Sequence, residues 1–478
     1  MKLPDNGHDG HYSKINPGRI KSLSVGDALS YLDSHVNLEA IERGAAGRAA
    51  EPTLERINAI LDMLARPDAN YPILQITGTN GKGSVSRIST YILSELGLGV
   101  GTYTSPHLEM LNERIMTDNI SVTDEELASL LSLLHQLESF LLSSGQLDTP
   151  PTWFELMTAA AFIFFSDIAV DAAVVEVGMG GRYDATNAGD ALVAVLTNVD
   201  LDHVEILGPT KRHIAMEKVG IVKPGSVFIQ GERDPELAEL LETQALEQGA
   251  AEVLARGRDF DCIVNKVAHG GRLVSIFTPF STYEDLFVPL HGYHQGENTA
   301  ISVAATEALL GRGIDRDILE QALTKVRIPG RLEVLRRNPL VLLDGAHNEA
   351  GIGVLRSALE EDFPTFKNLF VILGCLRGRD PIKMLTALDL AKLADRQFTD
   401  SEGKSFRTSV TVVGCTPPSL RALPGSLVSK AAEQLGLVAF DAGDVPSAAE
   451  WAMSAAGEDD IILVTGSLYV VGSSRQLF

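Results

Sequence analysis

Along most of this chain, short unbroken apolar runs alternate with longer stretches whose apolar residues recur every three or four positions. Unbroken runs suit strands of a parallel sheet, which are covered on both faces. The wider spacing marks one face of a helix. Residues 25–34 and 54–64 carry the helical spacing and precede an apolar run at 71–76. A glycine-rich turn follows that run, and then an amphipathic stretch at 85–96. Further strand candidates lie at 172–176, 191–198 and 227–230, among helical segments. This order predicts an α/β fold with a P-loop-type, mostly parallel sheet and right-handed crossovers. Residues 262–289 break the pattern: they are β-rich and alternating, with little helix, and read as an antiparallel extension of the sheet. Helical spacing returns at 294–310.

A turn signal at Ile328-Pro329-Gly330 interrupts the series. Beyond it, apolar runs at 340–343, 369–373, 409–413 and 461–464 again alternate with helical segments. They predict a second, smaller doubly wound α/β domain. At 478 residues the chain exceeds what one ordinary core organises. The expected division is a polar tail over 1–24, an N-terminal domain over 25–326 and a C-terminal domain over 327–478. Residues 399–407 and 416–424 read as exposed loops.

Composition narrows the class. With 45% hydrophobic and 22% charged residues the chain reads as an ordinary globular protein, and it has no apolar stretch long enough to span a bilayer. The first 21 residues are polar and lack the apolar core of a signal peptide, so a cytoplasmic protein is expected. Three scattered cysteines, Cys262, Cys375 and Cys415, fit reduced buried thiols. The net charge is −23, yet the residues from 327 onward hold 16 Lys+Arg against 18 Asp+Glu, so the excess falls on the first domain. Such a surface disfavours nucleic acid and anionic membrane as partners. A phosphate-bearing ligand needs local positive sites.

The glycine-rich turn supplies one. Thr79, Asn80, Gly81, Lys82, Gly83 and Ser84 lie between the predicted strand and helix. There, backbone N–H groups and the helix dipole favour phosphate, Lys82 adds a point charge, and a hydroxyl can reach a metal. The spacing is shorter than G-x-x-x-x-G-K-[ST], with Gly83 between Lys82 and Ser84. Glu176 ends another predicted strand just before the turn 178–181, where a carboxylate near phosphates can hold Mg²⁺. His203 follows the 191–198 strand beside acidic residues, a position that suits a metal ligand. By residue type alone, Ser105 is a turn residue before proline, and Lys218 is a helix-face lysine beside a glutamate.

Ten segments in order resemble the folylpolyglutamate synthase/dihydrofolate synthase family within the muramyl-ligase superfamily. They are GTNGKGS (78–84), TSPHL (104–108), NERI (112–115), TWFELMTAAAF (152–162), EVGMGGRYDATN (176–187), DHVEILG (202–208), EKVGIVKPG (217–225), HQGEN (294–298), PGRLE (329–333) and LDGAHN (343–348). The resemblance implies an ATP-dependent ligase that activates a pteroate or folate carboxylate as an acyl phosphate and joins it to the amine of L-glutamate. It implies ATP held by the loop from Thr79 to Ser84 with Asn298, Arg331, Asp344 and His347. It implies Mg²⁺ at Ser105 and Glu176, and a second Mg²⁺ at His203. Lys218 matches a lysine carried as an N-carboxylated side chain and is grouped with the metal residues. Lys82, Lys218, His203 and Arg331 are the implied catalytic set. The implied pteroate site comprises Pro52, Thr53, Leu54, Thr152, Trp153, Phe154, Glu155, Tyr183, Asp184 and Ala185. A monomer acting on small molecules is expected, with both ligase activities. Chain extension alone, or a muramyl-type ligase, is the alternative. NERI and DATN argue against the muramyl reading, and the presence of Lys218 and of the Asp344/His347 pair argues against a non-catalytic ATP module.

Overall fold

Strands β1 (Ile73–Thr77), β2 (Val100–Tyr103), β3 (Ile115–Thr117), β4 (Ile120–Ser121), β5 (Ala172–Glu176), β6 (Ala191–Leu196), β7 (Val227–Gln230) and β8 (Glu252–Ala255) form the first sheet of the computed structural model, which describes residues 22–37, 53–394, 397–399, 403 and 405–478. Their spatial order is β4-β3-β2-β5-β1-β6-β7-β8. All neighbours from β2 to β8 run parallel, and β3 and β4 reverse at one edge. Every residue of β1 and β5 is buried, which explains why they read as unbroken apolar runs.

Alternate side chains of those strands enter separate cores, as the strand period requires. Ile73, Ala173 and Val175 join Ile57, Leu131, Phe162 and Phe165 from the helices Glu55–Met63, Asp124–Ser143 and Trp153–Asp167. Leu74, Ile76 and Val174 join Val85, Ile92, Val303 and Leu323 from Lys82–Glu95, Tyr293–Leu310 and Arg316–Lys325. Capping boxes at Thr123/Glu126 and Thr152/Glu155 start two of the helices.

The antiparallel segment is not an extension of this sheet. Strands β9 (Asp261–Ala268), β10 (Gly271–Phe277) and β11 (Thr282–Val288) make a separate three-stranded sheet. Its inward residues Val274, Ile276, Leu286 and Val288 pack into the core shared with helices Tyr293–Leu310 and Arg316–Lys325. That burial requires the strands to lie over the helices instead of beside β8.

After α-helical Lys325 the chain crosses through residues 326–332 into the second sheet. Its strands are β12 (Glu333–Arg337), β13 (Leu340–Leu343), β14 (Asn368–Leu373), β17 (Ser409–Thr416), β18 (Val438–Asp444) and β19 (Ile461–Thr465), in the order β12-β13-β19-β14-β17-β18. Only β12 is antiparallel to its neighbour. The expected loop at 399–407 contains a hairpin instead, β15 (Gln397–Thr399) with β16 (Ser405–Arg407). Most of the expected tail, residues 1–21, lies outside the described residues. Its last residues belong to the fold: the Leu23 amide donates to Ser132 Oγ at 2.9 Å, and Ser24 caps the helix Val25–Asp33.

The three thiols are free and buried, and burial pushes each up to about 12. Among the described residues no helix is long and apolar enough to cross a membrane.

Candidate functional site

The carboxyl ends of β1, β5 and β6 in the first sheet, and of β13, β14 and β19 in the second, open into one cavity of about 1390 Å³. Ligands in parallel α/β sheets bind at such ends. The volume exceeds a typical single-ligand pocket of roughly 300–1,000 Å³, leaving room for a nucleotide and a second substrate.

Central β1 delivers the phosphate loop, which is tied down from below. The Thr79 amide donates to the Asn198 carbonyl at 3.0 Å, and the Asn80 amide to Asn198 Oδ1 at 3.0 Å. Thr197 Oγ1 and Asn198 Nδ2 donate to the Asn80 carbonyl. The amides of Thr79 and Asn80 therefore hold the loop in place, and the expected cradle shifts to the residues that follow. Helix Lys82–Glu95 starts at Gly81 (φ +86°) with no side-chain cap. The first amides of a helix lack partners within it, so those of the first turn are donors for an anion. Residues 81–84 line the cavity.

Two lysines share one acceptor. Lys82 Nζ donates to the Gly78 carbonyl at 3.1 Å, and Lys218 Nζ to the same oxygen at 2.7 Å. Lys218 is buried beneath the loop and does not line the cavity, so it is not the solvated helix-face lysine its residue type suggests. Burial, and then the charge of Lys82, hold its ammonium well below the usual lysine range.

Glu176, buried at the end of β5, accepts the Ser105 amide at 3.2 Å. A methyl group built on Gly83 would stand 3.5 Å from its Oε2, so the carboxylate touches the start of the phosphate-loop helix. Burial raises its pKa, opposed by Lys82, the Ser105 amide and Arg331. Among the described residues no group of three or more His, Cys, Asp and Glu side chains could hold a metal by itself. Magnesium commonly takes one or two carboxylates and completes its shell with water and phosphate oxygens. Glu176 with the hydroxyls of Ser84 and Ser105 on the same wall fits that donor set.

His203 begins the short helix Val204–Leu207 with φ +50° and stands 3.8 Å from Asp202. Burial lowers its pKa against the pull of Asp202. Asp202 joins the domains: it accepts Arg379 Nη2 at 2.9 Å and Asn348 Nδ2 at 3.4 Å, and Asn348 Nδ2 also lies 3.3 Å from Asn80 Oδ1. Burial opposes its charge, but His203, Arg379 and His347 hold its carboxyl well below the usual range.

From the second domain, Asp344 accepts the Leu332 amide at 2.9 Å and the Ala346 amide at 2.9 Å. Both of its oxygens thus fix the linker and the loop after β13. Arg331 lies against that loop, with Nη1 2.6 Å from where a Cβ on Gly345 would sit. His347 Nδ1 donates to the Gly345 carbonyl at 2.9 Å; burial, then Arg379, lowers its pKa to about 4. Asn298 closes the far side: a Cβ on Gly81 would meet its Oδ1 at 2.7 Å.

The expected second-substrate residues divide. Thr53, Thr152, Phe154, Glu155, Tyr183, Asp184 and Ala185 line the cavity. Trp153 does not: it is buried in the core beneath the Arg114 guanidinium, 4.7 Å from its ring centroid. Leu54 packs against the same core, and Pro52 lies outside the described residues. Asp184 is committed locally, accepting the Met179 and Thr186 amides. Sequence reasoning missed the Arg56–Glu155 ion pair, 2.9 Å long in this wall, and also Asn198, Asn348 and Arg379. Asn198 ends an expected strand and Asn348 ends a quoted segment, so both were within reach. Arg379 sits in an ordinary-looking loop.

Comparison with known proteins agrees with this geometry. Residues 76–306 match the Mur ligase middle domain, and residues 330–468 match the Mur ligase, glutamate ligase domain. The dihydrofolate synthase/folylpolyglutamate synthase of Mycobacterium tuberculosis is 34% identical over 90% of this chain and 90% of its own. A structure of Mycobacterium tuberculosis folylpolyglutamate synthase complexed with ADP and AMPPCP gives a TM-score of 0.82 at 32% identity, covering 95% of this chain and 98% of that one. Escherichia coli FolC in complex with DHPP and ADP gives 0.78 at 26% identity, covering 95% and 97%. With both Mur ligase domains present and the likeness extending over nearly the whole length, the chain belongs to the dihydrofolate synthase/folylpolyglutamate synthase family.

Proposed function

We propose that this chain adds L-glutamate both to dihydropteroate, making dihydrofolate, and to the glutamate tail of reduced folates. It is an ATP-dependent ligase of the Mur type. One observation carries the substrate reading: the phosphate loop, the buried Glu176 and the linker Arg331 share a cavity with a second wall of Phe154, Tyr183 and Ala185. That wall offers an aromatic face for a flat ring system, at the distance from the phosphate loop that one continuous cavity allows.

The substrate carboxylate attacks the γ-phosphorus of ATP, the bond to the β-phosphate oxygen breaks, and an acyl phosphate and ADP form. The amine of glutamate then attacks the carbonyl carbon. Phosphate leaves with its bonding pair, the amine gives up a proton, and an amide remains. The first-turn amides at 81–84 and the Lys82 ammonium hold the phosphates and offset charge on the transferring group. Arg331 approaches from the linker side, and the two domain walls keep water from the acyl phosphate.

Glu176 and Ser105 would hold one magnesium ion and His203 a second, with Lys218 behind the loop, and that positive charge would offset the repulsion between two anions brought together. Lys218 is read as an N-carboxylated side chain because it matches the lysine that the family resemblance gives in that form, and its buried amine is held well below the usual lysine range. The reading takes the enzyme as a cytoplasmic monomer.

The test is ADP release by the purified protein with ATP, Mg²⁺ and L-glutamate, offering dihydropteroate or tetrahydrofolate, with products identified by mass. Gain of one glutamate on both substrates is expected. Gain on tetrahydrofolate alone narrows the activity to chain extension, and gain on neither overturns the folate reading.

A further inference from the structure

The metal candidate Ser105 and the catalytic candidate Arg331 come from opposite sides of the cleft, and a third segment touches the stretches that carry both. It is the helix Leu468–Ser474, which follows the cavity residues Gly466 and Ser467. A Cβ on Gly472 would fall 2.0 Å from the Leu108 carbonyl oxygen, so this helix rests backbone-to-backbone on the loop after Ser105. Gly330, beside Arg331, has φ +68° and leaves only 3.1 Å to Val471 and 3.3 Å to Leu108 for an added methyl. Loop, linker turn and helix thus meet with no room for another carbon.

Charge fastens the same junction. Arg475 donates through Nη2 to Glu333 Oε1 at 2.8 Å and through Nε to Glu333 Oε2 at 3.2 Å. Its Nη1 donates to Glu109 Oε1, and Gln476 Nε2 to Glu109 Oε2 at 3.2 Å. Glu333 in turn accepts the Gly330 amide at 2.8 Å, fixing the turn that carries Arg331. On the other side, the Glu109 amide and its neighbours Leu108 and Met110 all donate to Glu113, which makes the loop one stiff unit leading back to Ser105. The Ser105 amide ends the path at Glu176.

We infer that Arg475 is a positioning residue that keys the Ser105 loop to the Arg331 turn, so that the acyl phosphate forms in a closed site facing the glutamate amine. This rests on the ligase reading above. Arg475 does not line the cavity. It acts by holding two separately carried groups in one geometry, where an error of about 1 Å costs about a hundredfold in rate. A loosened junction still permits attack on the γ-phosphorus from the phosphate-loop side, but it admits water. Water then attacks the acyl phosphate, releasing phosphate and regenerating the carboxylate, so ADP accumulates without amide.

The readout is ADP released per glutamate incorporated, measured with ATP, Mg²⁺, L-glutamate and tetrahydrofolate for the wild type, Arg475→Met, Arg475→Lys, Glu109→Gln and the Arg475→Met/Glu109→Gln pair. The expected ratio is near one for the wild type and at least about threefold higher for Arg475→Met and Glu109→Gln, with glutamate incorporation down about tenfold. Arg475→Lys recovers part of the coupling, and the double variant is no worse than the worse single one. A merely structural role would lower both products together and leave the ratio near one, and that result overturns the inference. Should Arg475→Met not fold, Glu109→Gln decides alone by the same ratio. A wild type that incorporates no glutamate overturns the ligase reading itself, a different result from an unchanged ratio in an active enzyme.

Discussion

Among the described residues two arginine–aspartate pairs join the domains, and they are built in opposite ways. Arg272 of β10 reaches across to the end of the helix Glu349–Asp362, with 2.6 Å to Asp362 and 3.0 Å to Glu361. The side chains of Arg272 and Asp362 are both 0% exposed, and Asp362 also accepts the Gly292 amide at 2.7 Å. Arg379 and Asp202 pair at 2.9 Å inside the cleft, where the arginine side chain keeps 25% of its exposure. The first pair is a sealed hinge point away from the cavity. The second is part of the cavity wall and can exchange its partner for water or ligand. These two pairs therefore divide domain attachment from site assembly between them.

Breaking the sealed pair gives the largest effect. Arg272→Met leaves the buried Asp362 with only His291 and the Gly292 amide as partners, and removing one partner of a buried pair costs about 3–5 kcal/mol. Denaturant unfolding of the full chain should show that loss. A change under about 1 kcal/mol would mean that the hinge point is open to water and that the contrast is wrong.

The site pair should behave in reverse. Arg379→Met is expected to change stability by at most about 1 kcal/mol, because one partner is part-exposed. Turnover per KM should fall about tenfold, since Asp202 stands beside His203 and Asn348 bridges it to the phosphate loop. Equal losses of stability and rate would erase the distinction.

What could be read from sequence follows the same divide. The phosphate loop and Glu176 were legible because each sits at the end of an unbroken apolar run, where a local pattern suffices, whereas Asp344 came only with the family resemblance. The hinge pair was not, because Arg272 and Asp362 are 90 positions apart, and the Arg475–Glu109 contact spans 366. Trp153 and Phe154 show a finer limit. They are adjacent on one helix, so they point about 100° apart, and only the helix phase decides that Phe154 faces the cavity while Trp153 enters the core. The separate β9–β11 sheet failed for a related reason: alternation reveals a strand, but not which layer covers it.

Asn348 tests the boundary between the two kinds of contact, because it does both jobs. Its Oδ1 accepts the Gly351 amide at 2.7 Å and caps the helix Glu349–Asp362, while its Nδ2 reaches Asn80 and Asp202. Asn348→Ala should cost about 1 kcal/mol of stability through the lost cap. Asn348→Ser keeps a capping oxygen and should recover most of that stability, yet it cannot span to the first domain, so its rate should stay below wild type. Recovery of both together would place the cross-domain donor outside catalysis.

The smallest effect is a pH dependence read at the sealed pair. Burial opposes ionisation of Asp362, but His291, the Gly292 amide and Arg272 outweigh it and hold the carboxyl below its usual value. A depressed carboxyl stabilises the fold above its unfolded pKa of about 4. That contribution disappears as pH falls through the lower folded value. The stability gap between wild type and Asp362→Asn should therefore be level near neutrality and shrink once pH drops below about 4. Thermal unfolding from pH 7 to pH 3 measures it. A gap that instead widened on acidification would mean that Asp362 is protonated in the folded protein at neutral pH, and that Arg272 is held by Glu361 and by the hydrogen bonds it donates to Asn265 in place of an ion pair with Asp362.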